Sequence, residues 1–240
     1  MSFERDPNAQ SAGAWPQFFD HMVHDLREPL RSVQAFSELL REIAGTRLGS
    51  EGDQAVGEIL SGAARLRVLI EGLSRFAWSL EPGSEQAKNK GCSLQLALDM
   101  TTISMDKAIT ACGATVTGEN LPRVGITLER LARLLENTIG NSLLFRGEAP
   151  PIIGVSARRD PDDPGWWLIR IEDNGTGIEP ADREAVFKPF MRVYGRKYPG
   201  AGLGLSICRN LVENCGGRIW MDAAATGGSV CFFTLPAAED

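Results

Sequence analysis

The stretch FFDHMVHDLREPLRSVQAFSELLREIA, residues 18–44, decides the first part of the fold. Apolar residues recur in it at alternating spacings of three and four, which is the heptad pattern of a helix that packs along one seam. The seam residues are Phe19, Met22, Leu26, Pro29, Val33, Phe36, Leu40 and Ile43. The sequence therefore predicts one long amphipathic helix here.

The same pattern resumes after GTRLGSEG, residues 45–52, whose glycines indicate a turn. It stops at Glu81-Pro82-Gly83. The second seam consists of Val56, Ile59, Ala63, Leu66, Ile70, Leu73, Ala77 and Leu80. Two long helices joined by a short turn form an antiparallel hairpin, but a lone hairpin has little interior. We therefore predict that two copies of the hairpin pair as a homodimeric four-helix bundle.

His24 lies opposite the first seam in this register, so we expect it to point into solvent beside Asp25. Pro29 has no N–H for the carbonyl group of Asp25, and this predicts a bend within one turn of His24. A plain surface histidine and a bend that only follows the curvature of the bundle are the alternative interpretations. His21 also points away from the seam but lacks this flanking pattern.

The composition excludes several classes of protein. The net charge is −6 and the basic residues are scattered, which argues against nucleic acid or an anionic membrane as a partner. No apolar run is long enough to span a membrane, and the N-terminus is polar, so we expect a soluble, cytoplasmic chain. The five cysteines lack metal-ligand spacing and are expected to be reduced and mostly buried.

Heptads end at the proline and glycine that follow Glu81, which indicates a domain boundary. We predict a polar N-terminal segment, a helical hairpin, a linker and a second domain, at residues 1–17, 18–81, 82–91 and 92–240. In the second domain we predict helices and strands, the helices near 93–111, 128–145 and 203–214 and the strands near 114–117, 151–158, 166–172, 217–223 and 228–235. This order predicts an α/β sandwich with helices on one face of a largely antiparallel sheet.

Two motifs of the second domain carry polar side chains suited to a ligand. Asn137 and Asn141 are four residues apart, so both amides project from one helical face. In EDNGTGI, residues 172–178, the glycines permit close backbone approach, and the carboxylate of Asp173 is an acceptor for an exocyclic amine such as that of adenine. A buried structural pair of asparagines and a plain turn are the alternatives.

The third motif, PGAGLGLSICRNLV at residues 199–212, has three glycines that lead into an amphipathic helix. Backbone N–H groups at a helix N-terminus suit phosphate oxygens. The spacing is neither GxGxxG nor that of a P-loop, so a dinucleotide fold and a P-loop fold are both disfavoured.

The order of an Asn pair, DxGxG, FKPF at residues 187–190 and GxGLGL resembles the nucleotide-binding domain of the histidine kinases and of the related gyrase, heat-shock chaperone and mismatch-repair ATPases. HDLREPL, upstream on a hairpin, resembles the phosphoacceptor box of the histidine kinases. The resemblance covers about residues 18–236. The variants IGNSLLFRG and YGRKYPGAGLGL look most like the phytochrome-type and PAS-linked branch.

The resemblance implies that His24 attacks the γ-phosphate of ATP and that the phosphoryl group then passes to an aspartate on a response-regulator receiver domain. It implies that Asp25 accepts a hydrogen bond from the imidazole and helps to take up its proton. Pro29 matches the family proline that gives the helix local freedom near the histidine. The implied cofactors are ATP and Mg²⁺.

The resemblance also assigns the nucleotide site. Asp173 and Phe145 match the residues that contact adenine, Asn137 and Asn141 match the pair near the phosphates, and Asn141 is the expected Mg²⁺ ligand. Phe187 and Phe190 match the aromatic pair that flanks a mobile lid at about 191–201, in which Arg192, Arg196 and Lys197 are candidate phosphate contacts. The glycine-rich positions are Gly175, Gly177, Gly200, Gly202, Leu203 and Gly204, with Gly227 and Gly228 as a later turn.

Two positions depart from the family pattern. Leu144 stands where the family usually has Lys or Arg, on the same helical face as Asn141, which favours weaker ATP use unless Arg146 or a lid residue substitutes. Glu28 stands where the family often has Thr or Asn, and its charge opposes an aspartyl phosphate, so we expect weak phosphatase activity.

Three rival functions remain at this point. They are a histidine phosphotransferase that lost ATP use and only relays phosphate, a dimeric scaffold without enzyme activity, and a DNA-dependent ATPase. The phosphoacceptor box argues against a scaffold, and the acidic chain argues against DNA. Binding of Mg²⁺-ATP separates the kinase from the phosphotransferase.

Overall fold

A computed structural model describes residues 14–83, 90–195, 198–225 and 227–238, without the side chains of residues 14–21 and 46. The chain divides after Glu81 into two compact units. The predicted N-terminal segment and linker fall largely outside the described residues. No helix within the described ranges is both long and apolar enough to cross a membrane.

The first unit is a helical hairpin. Helix α1 spans Ala14–Ala44, a 3-10 turn spans Gly45–Leu48, and helix α2 spans Gly49–Leu80. Gly45 and Gly49 have positive φ angles of 48° and 65°, and such backbone favours glycine because it has no Cβ. The predicted helices are confirmed, and α1 continues without interruption through Pro29.

The helix face turned towards the hairpin interior differs from the prediction for α1. Among the described side chains of α1 the buried ones are Val23 and Leu30, and they cluster with Ala63 and Ile70 of α2. The side chain of the predicted seam residue Phe19 lies outside the described residues. The predicted α1 seam is largely solvent-exposed, at Leu26, Val33, Phe36, Leu40 and Ile43. On α2 every second seam residue is buried, namely Val56, Ala63, Ile70 and Ala77, which are seven positions apart, while Ile59 and Leu66 are exposed. Two helices touch along one line, so each helix buries one heptad position and leaves the neighbouring apolar stripe open.

The second unit begins with the short strand β1, Cys92–Ser93, and helices α3 and α4, Leu94–Ser104 and Asp106–Ala111. The helix predicted near 93–111 is thus divided at Met105. Strands β2 and β3 follow at Thr115–Thr117 and Arg123–Val124. The pairing of β1 with β3 was not predicted, because two-residue strands carry no periodic signal.

The rest of the second unit matches the predicted order closely. Helix α5 is Leu128–Leu144, strands β4 and β5 are Ile152–Arg159 and Trp166–Asp173, helix α6 is Gly204–Glu213, and strands β6 and β7 are Ile219–Ala223 and Ser229–Pro236. Thr127 caps α5, because its side chain accepts a hydrogen bond from the N–H of Arg130.

The main sheet has the strand order β2-β4-β5-β7-β6. The β2–β4 pair is parallel and the other pairs are antiparallel. The inward side chains of the central strands and of α5 and α6 form the core, including Ile153, Ile169, Ile171, Phe233, Leu134, Leu135, Ile139 and Leu211, all fully buried. The predicted sandwich of helices on a largely antiparallel sheet is confirmed.

The register of the sheet brings two polar residues to the same end. Asp173 is the last residue of β5, and Ser229 is the first residue of β7. The two strands are antiparallel neighbours, with Glu172 opposite Val230. Because one strand ends where the other begins, both side chains reach the end of the sheet beside α5.

Candidate functional site

His24 is an exposed side chain on α1. Its Nδ1 lies 3.3 Å from Oδ1 of Asp25, and both side chains are 81% exposed. The adjacent residue Val23 points into the hairpin and anchors this turn of the helix. The expected outward direction of His24 is therefore found, and its Nε2 faces solvent as a possible nucleophile when Nδ1 carries the proton.

Asp173 is the centre of a compact polar cluster in the second unit. Its Oδ1 accepts hydrogen bonds from the N–H groups of Gly175 at 2.9 Å and Ser229 at 3.2 Å. Its Oδ2 accepts hydrogen bonds from the hydroxyl groups of Ser142 at 2.9 Å and Ser229 at 2.8 Å. Four donors from three segments hold the carboxylate in one orientation, as recognition of a nucleobase amine requires.

The glycines around Asp173 allow three backbone segments to meet. A Cβ atom on Gly175 would lie 2.6 Å from the carbonyl oxygen of Phe145, and that oxygen accepts a hydrogen bond from the N–H of Thr176 at 2.9 Å. A Cβ on Gly228 would lie 2.0 Å from the carbonyl oxygen of Asp173. Gly177 has a φ angle of 75°. These positions therefore favour glycine, and the predicted Phe145, Asp173, Gly175 and Gly177 lie together.

The ring of Phe145 contacts two tyrosines that the sequence reasoning did not select. Its centroid lies 5.5 Å from that of Tyr194 and 4.9 Å from that of Tyr198. The hydroxyl group of Tyr194 donates a hydrogen bond to the carbonyl oxygen of Gly177 at 3.1 Å. Offset and edge-on ring pairs at these distances are attractive. The segment after the FKPF motif thus supplies aromatic surface at the position assigned to adenine.

A second group of predicted residues lies where α5 meets the start of α6. Nδ2 of Asn137 donates a hydrogen bond to the carbonyl oxygen of Arg133 at 3.0 Å, and a Cβ on Gly204 would lie 3.3 Å from Oδ1 of Asn137. Asn141 is half-buried one turn farther along α5. Leu203 is the N-cap residue of α6 and makes no side-chain capping hydrogen bond there. The first N–H groups of α6 are thus available to an anion.

The glycine run before α6 has the backbone that its composition predicts. Gly200 and Gly202 have φ angles of 120° and 70°, and a Cβ on Gly202 would lie 2.7 Å from the carbonyl oxygen of Met191. The guanidinium group of Arg192 donates a hydrogen bond to the carbonyl oxygen of Tyr198. Within the described residues the side chain of Arg192 therefore stabilises its own loop. Arg196 and Lys197 lie outside the described residues.

The two phenylalanines of the FKPF motif have different environments. Phe187 is buried, and the guanidinium group of Arg209 lies 4.4 Å from its ring centroid. Phe190 is half exposed and has a φ angle of 63°, an unusual conformation for a residue with a side chain. Phe187 therefore anchors this segment on α6, whereas Phe190 is open to solvent.

Two buried thiols lie beneath the site. Burial, together with a smaller effect of the negative charge of Asp173, raises the pKa of Cys231 to about 12. Burial also raises the pKa of Cys208 well above its ordinary value, with a smaller contribution from Cys231. Both thiols are therefore protonated at neutral pH, and all five cysteines are free of disulfides. Only these two are buried, so the expectation of mostly buried cysteines was wrong.

A magnesium site made only of protein carboxylates is not found in the part of the chain that the structure describes. Within those ranges no three His, Cys, Asp or Glu side chains cluster as metal ligands. The available oxygen donors are the amides of Asn137 and Asn141. This set fits Mg²⁺ that takes most of its ligands from phosphates and water, because Mg²⁺ commonly binds through one or two protein oxygens.

The residues that sequence reasoning missed were Ser142, Ser229, Tyr194 and Tyr198. Single serines and tyrosines carry no periodic or motif signal. Ser142 stands immediately after Asn141, and Ser229 immediately after Gly228, so adjacency to a recognised motif was the one available clue.

Two families match separate parts of the chain. The family described as "His Kinase A (phospho-acceptor) domain" matches residues 14–82. The family described as "Histidine kinase-, DNA gyrase B-, and HSP90-like ATPase" matches residues 127–239. The first match contains His24, and the second contains all three nucleotide motifs.

Two curated proteins are similar along nearly the whole chain. Cyanobacterial phytochrome A of Nostoc sp. is 30% identical over 214 residues, which are 89% of this chain and 27% of that protein. The alginate biosynthesis sensor protein KinB of Pseudomonas aeruginosa is 30% identical over 226 residues, which are 92% of this chain and 36% of that protein. The chain therefore spans about a quarter to a third of the length of these relatives.

The fold is similar to that of a solved structure, full-length ShkA. The crystal structure of full-length ShkA in complex with AMPPNP superposes with a TM-score of 0.67 and 23% identity, covering 94% of this chain and 47% of that one. At this identity the likeness concerns the fold alone.

Proposed function

We propose, on the premise that this chain belongs to the sensor histidine kinases and carries their catalytic core, that it uses ATP to phosphorylate its own His24. The observation that carries the proposal is the geometry of His24. Its Nδ1 lies 3.3 Å from Oδ1 of Asp25, and the exposed ring leaves Nε2 open to a phosphoryl donor. Exposure suits a residue that two protein domains must reach in turn.

In this proposal Asp173 recognises the adenine base of ATP. Its carboxylate accepts a hydrogen bond from the exocyclic amine of adenine, while Phe145 supplies an aromatic face. Gly175 and Gly177 bring the backbone close to the base. The fixed orientation of the carboxylate supports this role, because its four protein donors are already in place.

The phosphates lie at the other end of the site, near Asn137, Asn141 and the start of α6. The first N–H groups of α6, together with Gly200, Gly202, Leu203 and Gly204, provide donors for phosphate oxygens. Mg²⁺ bound through the side-chain oxygen of Asn141 would neutralise phosphate charge. Arg192 contacts phosphate only if it exchanges its hydrogen bond to Tyr198.

The reaction forms a bond between Nε2 of His24 and the γ-phosphorus and breaks the bond from that phosphorus to the bridging oxygen of ADP. The attacking imidazole is neutral, with its proton on Nδ1. As the ring gains positive charge, Asp25 stabilises it and accepts the Nδ1 proton. The products are phosphohistidine and ADP.

The phosphoryl group then passes from His24 to an aspartate of a response-regulator receiver domain. We propose that the kinase acts as a homodimer in the cytoplasm, with residues 18–81 as the dimerising hairpin and residues 92–240 as the ATP-binding domain. The exposed apolar stripe on α1 and α2 supports pairing of two hairpins. The free thiols support a reducing compartment.

The test is incubation of the protein with γ-labelled ATP and Mg²⁺, comparing wild type, His24→Ala and His21→Ala. We expect label that is stable to base, labile to acid and absent only from His24→Ala. The matched control is His21, three residues earlier on the same helix. Label that persists in His24→Ala would contradict the assignment of the phosphoacceptor.

The second candidate function is a histidine phosphotransferase that relays phosphate without using ATP. Leu144, in place of a basic residue, is the observation that favours it. Titration with Mg²⁺-ATP distinguishes the two functions, because the kinase must bind the nucleotide. A folded protein that binds no nucleotide, and that accepts phosphate on His24 from a phosphorylated receiver domain, would be the relay.

A further inference from the structure

The carboxylate of Asp173 has no free acceptor position in this structure. A carboxylate oxygen has two lone pairs, and each oxygen of Asp173 already accepts two hydrogen bonds. An adenine amino group therefore has to replace one of the protein donors. The identity of that donor determines how much the amino group contributes to binding.

The two donors on Oδ1 are backbone N–H groups, of Gly175 and Ser229, and they cannot turn away without moving the chain. The two donors on Oδ2 are hydroxyl groups, which rotate freely. Among the described residues the hydroxyl group of Ser229 donates to Asp173 alone. If it turned away, its proton would lose its acceptor.

The hydroxyl group of Ser142 differs because it has a second acceptor within reach. Its oxygen lies 2.9 Å from Oδ2 of Asp173 and 3.3 Å from the carbonyl oxygen of Thr138, one turn earlier on α5. A serine hydroxyl carries one proton and so donates to one of them at a time. Ser142 is 6% exposed, and the nearby carbonyl keeps its proton satisfied after it leaves the carboxylate.

We propose that Ser142 competes with the adenine amino group for Oδ2 of Asp173 and thereby limits the preference of the site for adenine. When adenine binds, the Ser142 hydroxyl turns to the carbonyl oxygen of Thr138 and releases one acceptor position. The exchange replaces one hydrogen bond by another, so the amino group contributes less than it would at an empty acceptor. The inference rests on the proposed function, because it concerns the same nucleotide site.

Removal of the Ser142 hydroxyl has two opposite consequences. In Ser142→Ala the Oδ2 atom of the half-buried Asp173 loses a donor in the free protein, so the melting temperature without nucleotide falls. The amino group of ATP then fills an empty acceptor, and its contribution to affinity rises. A residue with only a structural role would lower stability and affinity together.

The test compares the dissociation constants of Mg²⁺-ATP and of purine riboside triphosphate, in which hydrogen replaces the 6-amino group. Calorimetric titration gives the ratio of the two constants for wild type and for Ser142→Ala. We expect the preference for ATP over the analogue to rise roughly threefold to tenfold in Ser142→Ala, the effect of one hydrogen bond. Ser142→Cys has a weaker donor and should change the ratio in the same direction. It replaces the alanine variant in the test if that variant does not fold.

Thr138→Val is the matched control. Thr138 is buried on the same helix, and its hydroxyl donates to the carbonyl oxygen of Leu134 or of Leu135 rather than to Asp173. We expect it to leave the ratio unchanged. A ratio that is unchanged or lower in the Ser142 variants, while ATP still binds, overturns the inference alone. A wild type that binds neither nucleotide overturns the proposed function and the inference with it.

Discussion

Leu144 stands at a position where the family usually has a basic residue. It is the last residue of α5 and is half-buried, on the same helical face as Asn141. A cation at this position would face the phosphate end of the proposed site, and Leu144 offers none. Arg146, two residues later, donates a hydrogen bond to the carbonyl oxygen of Leu143, so it is already engaged locally.

Leu144→Lys is expected to tighten Mg²⁺-ATP binding about threefold to tenfold, because one partly screened charge pair is worth on the order of 1 kcal/mol. Titration calorimetry at two salt concentrations measures the gain, which should shrink as salt rises. Leu144→Gln is the control of similar length without charge. An equal gain in the glutamine variant would show that charge is not the cause.

Cys231 makes the stability of the fold depend on pH in the alkaline range. Burial raises its pKa from 9.0 to about 12 in the folded chain, with Asp173 adding to the effect. The unfolded chain therefore binds fewer protons than the folded chain between these two values. Stability is unaffected below pH 9 and falls as the pH rises towards 12.

Cys231→Ala is expected to reduce this alkaline loss. Between pH 9 and pH 10.5, one such thiol steepens the fall in the free energy of unfolding by up to about 1.4 kcal/mol per pH unit. Denaturant unfolding across this range measures the slope in both proteins. Cys112→Ala, at a half-buried thiol outside the core, should leave the slope as in wild type. Parallel curves for wild type and Cys231→Ala would contradict the prediction.

At the scale of the element, α1 is a continuous helix that contains a proline. Pro29 lies in its interior and offers no N–H to the carbonyl oxygen of Asp25. His24 lies one turn before it, on the exposed face. The helix thus lacks one backbone hydrogen bond next to the proposed phosphoacceptor, which favours local freedom there.

Pro29→Ala is expected to stabilise the hairpin by about 1 to 3 kcal/mol and to slow phosphorylation of His24, because the variant restores a helical hydrogen bond and removes local freedom. Thermal unfolding and the initial rate of labelling measure the two effects. Pro82→Ala, beyond the end of α2, should change neither. An unchanged labelling rate in a stabilised Pro29→Ala protein would argue against a role for Pro29.

At the scale of the whole molecule, the hairpin leaves much apolar surface uncovered. Phe36 and Ile43 are each 71% exposed, although both belong to the heptad seam of α1. The interior of the hairpin uses Val23 and Leu30 instead. An apolar stripe of this length on a helix is typical of an interface, and a second hairpin is the simplest cover for it.

Phe36→Glu combined with Ile43→Glu is expected to convert the proposed dimer to a monomer, because the new carboxylates would be buried and unpaired in the bundle. Light scattering coupled to size-exclusion chromatography measures the mass. Arg31→Glu places the same residue on the face of His24, away from the seam, and should leave the dimer intact. A double variant that stays dimeric would place the interface elsewhere.

The sequence by itself determined the hairpin, the order of helices and strands in the second unit, and the positions of Asn137, Asp173 and the glycines. These features are local, because heptads, strand alternation and motif spacing are read within a few turns of chain. The outward direction of His24 was also predicted correctly, although the heptad stripe from which it was inferred is itself largely exposed in the hairpin.

Only the tertiary structure decided which stripe of α1 faces α2 and which side chains meet at Asp173. Ser142 and Ser229 are 31 and 56 residues away from Asp173 along the chain. Their convergence depends on the β5–β7 register and on where α5 crosses the sheet, which no local pattern encodes. The contact of Phe145 with Tyr194 and Tyr198 arises in the same way, because the fold brings the end of α5 beside a segment that is about fifty residues later in the chain.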